Sequence, residues 1–180
     1  AVKCVPLSVW SYPQDSAYAA GTAFRRAGLM LDYFSRLIGP FPYPALAHVE
    51  SSTRFGGMEN ATAIFYDQKR YWEKTLDELL VAHETAHQWF YSLVGNDQSR
   101  DPWLSEGLAT WAQTGPESSL PQMVAAAIPS GVRNRLGEPM SFWQSRDFET
   151  FPLGVYVHTV QALASLGEAA KVDRALRKFV

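Results

Sequence analysis

Cysteine is almost missing from this chain. Cys4 is the only one in 180 residues, so no internal disulfide can form and no cysteine-based metal site exists. That leaves the redox compartment open. Long apolar runs are missing as well, since nothing approaches the ~18 consecutive residues a membrane helix needs. Charge of one sign is also lacking. Lys and Arg total 16 against 18 Asp and Glu, a net charge of −2, which removes any electrostatic argument for nucleic acid or an anionic membrane as partner. No repeat or low-complexity segment is found. The chain opens on Ala1, not Met, and no signal-like segment precedes it, so a processed chain, an excised domain or a fragment is expected. What remains is 47% apolar and 19% charged, suited to one globular domain over residues 1–180 with a sizeable core.

The most informative stretch is Leu79 to Phe90, which holds His83-Glu84-Thr85-Ala86-His87 in an apolar-periodic run free of Gly and Pro. It reads as the interior of a helix. Positions i and i+4 lie on one helix face about 6 Å apart along the axis. Two imidazoles so placed can reach one Zn²⁺, and Glu84, one residue past the first, can reach its water without replacing it. The alternative is a pair of core histidines beside a surface glutamate. A third ligand is offered by Glu106, in the helix-like run Pro102-Trp103-Leu104-Ser105-Glu106-Gly107-Leu108-Ala109. A carboxylate among such apolar neighbours is costly to bury unpaired, and a cation would offset that cost. Two His and one Glu form a catalytic zinc set that leaves a fourth position open.

His83-Glu84-x-x-His87, eighteen further residues and then Glu106 resembles the gluzincin aminopeptidases, a family that includes alanyl and leucyl aminopeptidases and the leukotriene epoxide hydrolase. Gly56-Gly57-Met58-Glu59-Asn60, about two dozen residues upstream, is similar to that family's Gly-x-Met-Glu-Asn exopeptidase signature. Trp103 to Ala109 is similar to its Trp-Leu-Asn-Glu-Gly-Phe-Ala, with Ser105 in place of Asn. The resemblance implies an α+β, thermolysin-like zincin catalytic domain: a small mixed sheet packed on the zinc-binding helix, with a mainly helical C-terminal part. It also implies one Zn²⁺ per chain, held by His83, His87 and Glu106, with Glu84 as general base. Glu59 would then hold the free α-ammonium of a peptide substrate, with Gly56 and Gly57 giving backbone contacts and Met58 and Asn60 completing the substrate-binding motif. A tyrosine after the third ligand is expected to stabilise the oxyanion. Tyr156 is preferred because a phenol can donate to it. Phe151 matches the Gly spacing better through Gly154, but phenylalanine has no hydroxyl. Thr159 stands where the family usually has Gly.

Along the rest of the chain, residues 1–16 read as an extended entry, and Asp15 or Ser16 caps a helix over 17–38 with Ala20, Phe24, Ala27, Leu31, Phe34 and Ile38 on one face. Prolines 40, 42 and 44 make a rigid connector. Leu46–Ser51 is a strand whose His48 is a hydrogen-bonded core residue, and Ala61–Tyr66 an edge strand lining the cleft. Asp67–Lys74 reads as a loop whose Tyr71 and Trp72 shape a pocket. Thr75 and Glu78 form a capping box for the His83 helix, which Gly95-Asn96-Asp97 stops. Residues 115–150 suggest one short helix near 119–128 and then irregular structure. Two helices follow from Gly154, divided by Gly167.

The expected function is removal of the N-terminal residue of peptides. In another class stands a non-catalytic, zinc-stabilised binding module, and within the same chemistry an epoxide hydrolase or an endopeptidase. The family usually adds a β-rich domain before and helical material after the catalytic part, so missing flanking domains are expected as partners. Compartment is left open, cytoplasmic and exported both being compatible.

Overall fold

The computed structural model describes residues 4–117, 119–146 and 150–180. The start of the expected extended entry (1–3) and parts of the weakly patterned stretch (118, 147–149) lie outside the described residues. Four strands form one mixed sheet in the order β1 (Leu7–Trp10), β2 (Leu46–Ser51), β4 (Ala63–Asp67), β3 (Gly57–Met58). The first three in that order run parallel, with Val9 opposite His48 and His48 opposite Ile64. β3 runs antiparallel to β4 and sets Gly57 opposite Tyr66. Residues 61–66 are therefore not an edge: β4 pairs with β2 on one side and with β3 on the other, and the edge is the two-residue β3. His48 is buried as expected, with Nδ1 2.9 Å from the Tyr66 hydroxyl.

The single helix expected over 17–38 is broken. It consists of α1 (Ser16–Tyr18), a π-helical turn (Ala19–Ala23) and α2 (Ala27–Leu37), with Phe24 and Arg26 outside helical geometry. The wider turn shifts the inward face. Ala19 and Ala23 are buried instead of Ala20, and the Phe24 ring reaches His48 and Tyr66 at centroid distances of 4.8 and 5.3 Å. Neither expected cap forms. The Asp15 carboxylate is buried beside Lys74 Nζ at 3.4 Å, and Ser16 Oγ donates to Pro13 O.

Residues 67–74 hold a helix where a loop was expected, α3 (Gln68–Trp72), because Asp67 accepts from the Lys69 N–H at its start. Tyr71 lies in the core and Trp72 in solvent, so they do not jointly shape a pocket. α4 (Glu78–Ala86) begins two residues later than a Thr75 cap requires. Asp77 Oδ1 takes the Leu80 N–H at 2.8 Å, and Glu78 pairs with Arg26. It also stops well before Gly95. The chain unwinds after His87, with Ser92 N–H on His87 O and Val94 N–H on Trp89 O, and Tyr91 adopts φ of 105°. Trp89 and Phe90 in this segment are both buried.

A π-helical turn (Trp103–Gly107) leads into α5 (Leu108–Glu117), and α6 (Leu120–Ala125) is the expected short helix. α7 (Met140–Gln144) lies where irregular structure was expected, anchored by buried Trp143, whose indole N–H donates to Glu138 O. Another π-helical turn (Pro152–Val157) opens α8 (His158–Ser165). After Gly167, at φ of 125°, comes α9 (Ala169–Phe179).

Two apolar clusters result. The larger unites the sheet with α2, α4, α5, α8 and α9 through Phe34, Leu46, Ile64, Val81, Trp89, Trp111 and Val160. The smaller is built on Ile128, Val132, Trp143 and Val155, with Trp103, Phe151 and Tyr156 packed against it.

Candidate metal centre and active site

α4 turns His83 and His87 to one side, where three donor atoms converge. The two Nε2 atoms are 3.1 Å apart, and Glu106 Oε2 lies 3.2 Å from the first and 3.4 Å from the second. A tetrahedral zinc with ligand bonds of 2.0–2.1 Å has ligand-to-ligand edges of about 3.4 Å, so the triangle has the dimensions of three ligands around one ion. The far sides of the rings are fixed. His83 Nδ1–H donates to Gln113 Oε1 at 2.7 Å, and His87 Nδ1–H to Phe90 O at 3.0 Å. With both Nδ1 atoms so engaged, the two Nε2 atoms are the ones left to face an ion. Electrostatics agree. Burial pushes the His87 imidazolium down, but the Glu106 carboxylate outweighs it and lifts the group to about 10. Burial pushes Glu106 up, yet His87 and His83 hold it well below the ordinary carboxylate range. This site demands positive charge. The residues fit a divalent zinc-type ion, and among the described residues they are the set of three acidic, His or Cys ligands that converges on a point.

Glu106 reaches the centre from the π-helical turn ahead of α5. Its second oxygen, Oε1, accepts from Gln98 Nε2 at 3.0 Å, so both carboxylate oxygens have assigned partners. Ser105, in the place of the resembled Asn, is fully buried and bonds back to Pro102 O. Gly107 abuts Thr159. A Cβ at 107 would overlap the threonine side chain, so this glycine is what lets α8 approach the Glu106 turn with Thr159 present.

Glu84 is buried, at 6% exposure, and its Oε2 has no hydrogen-bond partner. Burial raises its carboxyl to about 7, opposed by His83 and His87 and assisted by Glu59 and Glu106. It packs directly on the backbone of Gly57. Gly56 is covered on its own side by the Arg70 guanidinium. Met58 follows Gly57 in the strand, so its side chain leaves the face opposite Glu84, and it is 39% exposed. Glu59 is buried, and its carboxylate has no ion-pair or hydrogen-bond partner among the described residues. Asn60 is exposed and contributes its carbonyl to a turn, accepting from Ala63 N–H.

Tyr156 lies in the π-helical turn before α8. Its ring centroid is 5.5 Å from that of His83, and it lies close enough to the Glu106 carboxylate to feel its charge. Burial, then the carboxylates of Glu106 and Glu84, push its pKa well above the ordinary value. Phe151 stacks behind Tyr156 at 5.4 Å. His158 lies at the start of α8, half-buried and outside the centre.

The structure thus brings His83, His87, Glu106, Glu84 and Tyr156 together, with Gly57 against Glu84, while Met58 and Asn60 are exposed. Gln113, Gln98, Gln88 and the Phe90 carbonyl had not been singled out. Gln113 falls seven residues after Glu106, two turns along the same helix face, which is the one signal that could have found it.

A Peptidase family M1 domain model matches residues 22–125, and the chain belongs to that family. It is 36% identical over 104 residues to aminopeptidase M1-B of Oryza sativa subsp. japonica, covering 52% of this chain and 12% of that protein. To aminopeptidase N of Canis lupus familiaris it is 32% identical over 122 residues, again 12% of the relative's length. The chain therefore spans about an eighth of these relatives. Among solved structures, yeast LTA4 hydrolase in complex with bestatin superposes with a TM-score of 0.68 at 18% identity, over 96% of this chain and 31% of that one. The M1 zinc metallopeptidase from Deinococcus radiodurans gives 0.60 at 21% identity, over 86% and 36%. These likenesses show a shared α/β fold with a small sheet among many helices.

Proposed function

We propose that this chain is the catalytic part of a zinc-dependent aminopeptidase with a thermolysin-like arrangement, binding one zinc ion through His83, His87 and Glu106. Zinc bound there would supply an acidified water and a Lewis acid for the scissile carbonyl. Glu84 would serve as the general base and then the general acid, holding a proton at its unpartnered Oε2 and passing it to the leaving amine. The Tyr156 hydroxyl donates to the carbonyl oxygen as negative charge develops on it. Glu59 receives the substrate's α-ammonium, and charge neutralisation in a confined cleft favours that pairing. Substrates are peptides with a free N-terminus, and the parts of the relatives outside this span complete the cleft walls.

One observation carries this reading: two buried carboxylates, Glu84 with an unpartnered Oε2 and Glu59, lie close enough to the three-donor cation site to act on His87 electrostatically. A non-catalytic zinc module has no use for either. The test is hydrolysis of aminoacyl-arylamides beside their N-acetylated twins, with chelator and Glu84→Gln controls. Cleavage of free-amine substrates alone, abolished in both controls, is expected. Equal cleavage of the blocked twins would remove Glu59 from its role, and zinc binding without any cleavage would favour the binding module.

A further inference from the structure

Thr62 has φ of 68°, a left-handed conformation that a β-branched residue adopts only when its surroundings impose it. It occupies the third position of a tight turn closed by Ala63 N–H on Asn60 O at 3.2 Å, where a turn of this type ordinarily has glycine. The imposing group is Gln88. Its side chain is fully buried, and Oε1 accepts the Thr62 N–H at 2.9 Å. Its Nε2 donates to Asn60 O at 3.2 Å and, over a longer 3.5 Å, to Glu59 O. Ser92 Oγ adds a second donor to Glu59 O at 3.4 Å. Gln88 is the residue immediately after His87, and Ser92 closes the unwound segment behind it.

We infer that Gln88, assisted by Ser92, is a positioning residue that sets the distance between the Glu59 carboxylate and the metal ligands. This rests on the aminopeptidase reading above. The physical argument is one of registry. An exopeptidase that removes one residue must hold the ammonium anchor and the metal one residue's length apart. Here the two come from segments far apart in sequence, with no covalent connection shorter than the whole span between them. The buried amide joins them directly, and it occupies both its acceptor and its donor in doing so. The strain at Thr62 shows that the turn does not hold this shape by itself. Geometry errors of an ångström at such a site cost about 100-fold in rate.

The test uses the zinc-loaded chain and three variants: Gln88→Met, which keeps the volume without the hydrogen bonds; Gln88→Met with Thr62→Gly, which removes the strain; and Ser92→Ala. Leucyl-arylamide, its N-acetyl twin and zinc affinity are measured for each. Gln88→Met is expected to raise KM for the free-amine substrate about tenfold or more, leaving zinc affinity unchanged and the blocked twin uncleaved. The double variant recovers much of the loss, since glycine accepts φ of 68° freely. Ser92→Ala moves in the same direction by less, and it decides the matter should Gln88→Met not fold: no change there overturns the proposal. Loss of zinc also overturns it, because Gln88 would then act through His87. A wild-type chain without preference for the free amine would sink the aminopeptidase reading instead. The positioning role would then be read from the Thr62 amide, which should exchange faster in Gln88→Met; unchanged exchange refutes it.

Discussion

No side chain fits between Gly57 and Glu84. A Cβ at position 57 would overlap the carboxyl end of the glutamate, so the backbone of β3 is itself the wall against which the proposed general base rests. Gly57 is outside the left-handed region, so its conformation suits other residues and only the space does not. The atom in the way is the far end of a flexible side chain. Gly57→Ala should therefore fold and bind zinc like the parent while displacing Glu84. Its kcat is expected to fall about 100-fold or more, the scale of a lost general base. Steady-state kinetics beside a zinc titration would check this.

Gln113 holds His83 in the tautomer that frees Nε2. Gln113→Leu should weaken zinc binding about 10–100-fold by releasing the ring, as is usual when a ligand's supporting hydrogen bond is removed. Gln113→Glu should retain binding, since a carboxylate accepts the same N–H. Competition with a chelator ranks the three proteins.

Away from the cleft, Glu50 has its carboxyl raised. Burial comes first among the causes, the Tyr12 N–H opposes it, and the neighbouring Asp15 carboxyl adds to it. A raised acid is favourable to the fold while protonated, and that contribution is lost as pH climbs from the ordinary 4.5 through the raised value. Glu50→Gln mimics the protonated form. It should match the parent near pH 4 and exceed its Tm at pH 7, measured in thermal melts across that range.

Tyr91 is held at φ of 105°, one residue after the carbonyl that fixes His87. Tyr91→Gly should relieve about 1 kcal/mol of backbone strain. The Phe90 carbonyl is unchanged, so zinc affinity should stay as it was. Denaturant midpoints with and without zinc would separate the two effects.

The metal ligands were legible because helical spacing is local: His83 and His87 share a face wherever the helix packs. Glu59 and Tyr156 were legible only through resemblance, since nothing in their own neighbourhoods sends either toward the centre. Strand order was hidden. Whether residues 61–66 form an edge depends on where β3 pairs, and a two-residue strand leaves almost no pattern. Helix ends failed for a related reason. Asp77 competes with Thr75 as a cap, and the unwinding after His87 accompanies burial of Trp89 and Phe90 against distant partners. Gln88 sat in plain view beside the zinc motif, but its three hydrogen bonds cross to a loop 26–29 residues upstream, and such a distance cannot be read from composition or period.

The cleft straddles a seam. α4, which carries His83, is anchored in the larger apolar cluster by Val81, Ala82 and Ala86, whereas Tyr156 is packed on the smaller one with Trp143, Val155 and Phe151. A small cluster holds its members less firmly, so its opening is the less costly local event. On warming, the phenol should drift from the centre while both imidazoles stay gripped. Such a protein goes silent before it comes apart, still holding its metal.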